Sequence, residues 1–147
     1  MYAQILVPVD LDNRHDWSFT LPKAISFVQA AQSTGQRTML HVMSVVPQFG
    51  MSLVGQFFPQ GFESEMSDKV LEMLKAKTAE VVPKDLPHRH IVAEGTVYEA
   101  VLSMSRKVNA DLIVIGSHRP ELKDYLLGPN AARVVRHASC SVLVVRH

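Results

Sequence analysis

Short apolar runs alternate with longer segments of helical period along this whole chain, and that alternation limits the possible folds more than any other feature. Ile5-Leu6-Val7-Pro8-Val9 is a nearly continuous run ending at Asp10. Runs of this kind suit strands covered on both faces, as in a parallel sheet. Trp17 to Thr34 follows with Ile25, Val28 and Ala31 at helical spacing, Pro22 in its opening turns and Gly35 as a stop. Thr38 to Val46 is a second strand. Glu63 to Val82 is a second helix with Met66, Val70, Leu74 and Val81 as its apolar stripe. His88 to Ala93 reads as a third strand. Thr96 stands three residues before Glu99, the spacing of a capping box, and Val97, Val101, Met104 and Val108 share one face of the helix behind it. Asp111 leads into the strand Leu112-Ile113-Val114-Ile115, Asn130 to His137 forms a short helix, and Ser141 to Val145 is the last strand.

The predicted order is βαβαβαβαβ, which calls for a parallel sheet with helices on both faces and right-handed crossovers. Ligands bind such sheets where the winding reverses, outside the carboxyl ends of two strands. The strands ending at Asp10 and Gly116 are expected to flank that crevice. At 147 residues the chain is one domain, residues 1–147, with neither repeat nor linker dividing it.

A formal net charge of +1 gives no electrostatic reason to expect nucleic acid or an anionic membrane as a partner. No apolar run is long enough to span a bilayer, and Met1-Tyr2-Ala3-Gln4 lacks the basic region of a signal peptide. The single cysteine, Cys140, excludes an intrachain disulfide and fits a reducing compartment, so a cytoplasmic protein is expected.

Chemistry concentrates after the fourth strand, in Gly116-Ser117-His118-Arg119-Pro120 and Leu126-Leu127-Gly128-Pro129-Asn130. Glycines at both ends of this loop allow close backbone approach or positive φ. The helix opening near Pro129 offers free N–H groups and the positive end of its dipole to a phosphate. Ser117, His118 and Arg119 add donors. On the two glycines alone, a simple turn with Pro129 as an ordinary first helical residue is the better reading.

The segment from Val114 to Arg146, VIGSHRPELKDYLLGPNAARVVRHASCSVLVVR, resembles the C-terminal signature of universal stress proteins, most closely the F/G-type bacterial members. Ile5 to Asp10 resembles their first strand and Leu40-His41-Val42 their second. The resemblance implies the strand order 3-2-1-4-5, an adenine nucleotide alpha-hydrolase-like fold, and a site for ATP or another adenine nucleotide with or without Mg²⁺. Its residues here would be Pro8, Val9, Asp10, Val42, Ile115, Gly116, His118, Arg119, Gly128, Pro129, Asn130 and Ala131. Asp10 would meet a ribose hydroxyl or Mg²⁺, or else simply cap a turn. Pro8 and Val42 would lie beside the adenine.

The match departs from the family's ATP pattern in three places, the first being a spacer to Gly128 one residue shorter than the common form, as in the F/G type. Arg119 stands where that pattern has its second glycine, and Pro129 replaces the usual Ser or Thr, removing a hydroxyl and an N–H donor. Charge-assisted contacts from Arg119 and His118 would compensate, or Arg119 would fill the phosphate position. The alternative function is thus a dimeric interaction module with a degenerate phosphate loop and no nucleotide. The family also implies a homodimer through the last strand, Ser141 to Arg146, which lies at a sheet edge. Slow ATP hydrolysis or self-phosphorylation is the most catalysis implied, with Ser117 as the candidate acceptor.

Other constellations carry less. His88 and His90 lack further ligands at metal spacing, and Ser103 and Ser105 lack a nucleophile-elbow setting. His41 is expected to be a packed strand residue and Cys140 a small buried one. The aromatic stretch Phe49 to Phe62 is read as a loop packing over the sheet, with a lid or a partner surface as the competing readings.

Overall fold

The structure, a computed structural model, describes residues 2–46, 62–117 and 127–146, with the backbone alone for 62–65. Of the expected aromatic loop, Phe49 to Phe62, all but Phe62, whose backbone opens a helix, lies outside the described residues, as do the candidate site residues His118 and Arg119.

Five strands form one parallel sheet: β1 (Gln4–Pro8), β2 (Met39–Val46), β3 (His88–Glu94), β4 (Leu112–Gly116) and β5 (Ser141–Val145). They lie in the order β3-β2-β1-β4-β5. Four α-helices make the crossovers: α1 (Leu21–Ser33), α2 (Phe62–Val81), α3 (Val97–Lys107) and α4 (Pro129–His137). Because side chains alternate across a strand, each continuous apolar run feeds two cores. Ile5, Val7, Leu112 and Val114 join Leu21, Val28 and Leu74 beneath α1 and α2. Leu6, Ile113 and Ile115 join Val101, Ala131 and Val134 beneath α3 and α4. This two-sided burial is the reason that the strands show no polar alternation.

Several local expectations need correction. The helix expected from Trp17 begins as a π-helical turn, Asp16–Thr20, that runs directly into α1 with Pro22 in its first turn. Gly35, at φ 78°, does stop α1, its N–H bonding the Gln32 carbonyl at 3.0 Å. Thr96 takes the extended N-cap conformation of α3 but makes no side-chain cap bond, so the expected capping box is not closed. Glu99 accepts the Tyr98 hydroxyl instead, at 3.2 Å. Cys140 is half-buried rather than buried, packed at the margin of the second core, and burial pushes its thiol pKa up.

Two polar residues fasten the sheet at the amino end of its strands. Asp111, just before β4, accepts the Ala3 and Gln4 N–H groups at 2.7 and 3.0 Å, pinning the start of β1. His41 is packed in β2 as expected, with Nε2 at 2.7 Å from Gln4 Oε1, and burial followed by the Arg89 charge holds its pKa below the ordinary value.

Candidate functional site

β2 outruns β1 at the carboxyl end of the sheet: Pro8 pairs with Met43, and Ser44, Val45 and Val46 continue past it beside β3. β4 leaves β1 on the opposite side, so the centre of the sheet opens there. A cavity of about 430 Å³ fills the opening.

Its polar wall is the turn after β1. Asp10 is exposed and its carboxylate accepts the Asp12 N–H at 3.0 Å, an Asx turn. The Asp10 carbonyl accepts the Asn13 N–H at 3.0 Å and the Trp17 indole N–H at 3.1 Å. The Asp10 N–H donates to Asp16 Oδ2 at 2.9 Å, and Thr20 donates to Asp16 Oδ1 at 3.0 Å. Asp16 is 7% exposed, and desolvation raises its carboxyl pKa to about 6 against the lowering effect of those two hydrogen bonds, with the Asp10 charge adding to the rise.

Gly116 ends β4 against this turn. A methyl group on it would come within 2.7 Å of Asp16 Oδ1 and 2.9 Å of Thr20 Oγ1. The glycine therefore serves close packing between β4 and the π-helical turn, and positive φ is not its role. Gly128 is likewise extended, at φ −67° and ψ 163°, as the N-cap of α4. Its N–H bonds the Ser117 carbonyl at 2.9 Å, bringing the end of β4 to the start of α4. Pro129 has no N–H, and Ala132 already bonds back to Gly128. The amides left free of intrahelical partners at this end are those of Asn130 and Ala131, and both residues line the cavity.

Of the residues expected at a site, the structure brings together Pro8, Val9, Asp10, Ile115, Gly116, Gly128, Pro129, Asn130 and Ala131 around the cavity. Val42 is not among them: it is fully buried in the core below, two residues short of the rim. Ser44, at the strand position that does reach the rim, is the residue that the sequence reading missed, and its signal was a lone polar residue near the end of an apolar run. Met66 and Val70 of α2 and Val97 of α3 close the apolar side, roles hidden because a helical stripe reads simply as core. Asp16 also escaped notice, since nothing in a local pattern shows that it is buried. Among the described residues the lining holds three carboxylates and no Lys or Arg. Among the described residues there is no group of three or more His, Cys, Asp or Glu residues that could hold a metal ion.

The model of the Universal stress protein family matches residues 1–146. The chain belongs to that family. Universal stress protein G of Shigella flexneri is 29% identical over 149 residues, covering 99% of this chain and 100% of its own. The solved structure of MJ0577, the universal stress protein of Methanocaldococcus jannaschii, superposes with a TM-score of 0.74 at 23% identity, covering 100% of this chain and 97% of its own. A further solved universal stress protein, in complex with cAMP, has a TM-score of 0.62 at 19% identity, covering 99% of this chain and 97% of its own. Among the described residues no helix is long and apolar enough to cross a membrane.

Proposed function

We propose that this universal stress protein binds an adenine nucleotide at the central cavity and acts as a regulatory protein of the stress response. The observation that carries the reading is the cavity itself: about 430 Å³, at the point where strand order reverses, lined both by Asn130 and Ala131 of the first turn of α4 and by the apolar Val46, Met66, Val70 and Val97. That volume lies in the range of small-ligand sites. The base would enter between Val46, Met66, Val70 and Val97, and the phosphates would meet the start of α4, with Asp10 toward the ribose. His118 and Arg119 are assigned to the phosphates on the sequence argument alone. A structural neighbour solved with cAMP supports the ligand class. Any Mg²⁺ would be held by the nucleotide's phosphates, with Asp10 as its candidate protein ligand.

Calorimetric titration with ATP, ADP, AMP and cAMP tests this reading, and no heat and no thermal shift at millimolar nucleotide overturns it. A second reading, an interaction module without nucleotide, is favoured by the three carboxylates and by Pro129 in the lining. Arg119→Gly separates the two roles of that arginine: tighter ATP binding means that it blocks the phosphate position, weaker binding that it is a ligand. A homodimer through Ser141 to Arg146 belongs to the same proposal, supported by the place of β5 at the sheet edge. So does a cytoplasmic setting, which the single half-buried cysteine supports.

A further inference from the structure

We infer that Lys77 is a positioning residue for the ligand cavity, fastening the acidic turn after β1 to α2 and so setting the gap between the polar and apolar walls. The inference rests on the ligand reading above, and its physical part stands apart from it. Lys77 Nζ donates to the Leu11 carbonyl at 2.7 Å, across 66 residues of chain. Its ammonium also lies 5.3 Å from the ring centroid of Trp17, whose indole N–H holds the Asp10 carbonyl. Two successive carbonyls of the turn are thus held, Asp10 by the Trp17 indole and Leu11 by Lys77, and both residues line the cavity. The other bonds described for this turn are local, running within residues 10–21. Lys77 brings a bond from a different layer of the fold.

The helical register gives that bond its consequence. Lys77 lies seven and eleven residues after Val70 and Met66, two and three turns along the same face of α2. Met66 and Val70 form the apolar wall, and Leu74, between them and Lys77, is anchored at 0% exposure in the core. One helix therefore carries two apolar residues of the lining and, through one ammonium, a bond to the turn that carries its acidic residues. Lys77 also meets the turn between Asp10 and Asp12, so its charge offsets carboxylates that would repel a phosphate-bearing ligand.

Lys77→Met keeps the apolar stem and removes the ammonium, and Lys77→Arg keeps a cation and a donor. Trp17 is the only tryptophan of the chain, so its fluorescence reports the grip directly. Without nucleotide, Lys77→Met is expected to shift Trp17 emission and increase its quenching by acrylamide, while Lys77→Arg stays near wild type. Titrated with ATP, Lys77→Met is expected to bind about tenfold more weakly and Lys77→Arg within about twofold of wild type, the scale of one lost hydrogen bond. Equal ATP affinity in Lys77→Met and wild type overturns the inference, as does equal weakening in both variants, which would mark a packing role. If wild type itself takes no ATP, the nucleotide reading falls; Trp17 emission then decides alone, and an unchanged spectrum in Lys77→Met overturns the grip as well.

Discussion

Asp16→Asn should make the protein more stable at neutral pH and flatten its stability profile above pH 4. Asp16 is buried at 7% exposure between the Asp10 N–H, Thr20 and the end of β4, without a cation among its described contacts. Its pKa stands at about 6 where an ordinary aspartate has 3.8. In that window the native chain holds a proton that the unfolded chain has released, so stability falls as pH rises through it. At about 1.4 kcal/mol per pH unit, the displacement from 3.8 to about 6 costs about 3 kcal/mol once the group is ionised in both states. Asparagine keeps the shape: its oxygen accepts the Asp10 N–H and its amide donates to the Thr20 hydroxyl. Urea unfolding followed by Trp17 fluorescence, at intervals from pH 4 to 8, measures the effect. The variant should gain on wild type progressively and hold an advantage of about 3 kcal/mol above pH 7. Parallel profiles in the two proteins would refute the reasoning, because they would show that Asp16 ionises as freely folded as unfolded.

Gly116→Ala should destabilise by about 1–3 kcal/mol, since its methyl group would meet Asp16 Oδ1 at 2.7 Å. Removing the hydroxyl in Gly116→Ala/Thr20→Ala should recover part of that loss, as a double-mutant cycle in urea would record. Asp111→Ala should cost about 2 kcal/mol by leaving two β1 amides without their charged acceptor, read as a lower urea midpoint. Ser44→Leu should fill the cavity rim, weakening ATP binding by tenfold or more in calorimetry while the thermal midpoint stays within about 5 °C. Unchanged ATP affinity in that variant would move the ligand elsewhere.

The alternation of apolar runs and helical stripes was sufficient to identify the doubly covered parallel sheet. Continuous Ile/Val/Leu runs cannot face water on either side, and only a sheet packed on both faces, with Leu6 and Val7 pointing to opposite cores, satisfies them. The resemblance of the segments at 5–10, 40–42 and 114–146 carried the family and the strand order. That local signal also placed Pro8, Asp10, Gly116, Gly128 and Asn130 at the opening, because each lies at the end of an element whose limits can be read from its neighbours. Tertiary structure alone decided the rest. Val42 fell below the rim and Ser44 reached it because the register of β2 against β1 fixes the depth of each residue, and no single strand encodes its neighbour's register. Gly116 proved to be needed by Asp16 and Thr20, a hundred residues earlier in the chain. The burial that raises the Asp16 pKa and the reach of Lys77 to Leu11 are likewise properties of surroundings assembled from distant segments, which exist only once the sheet and helices have packed.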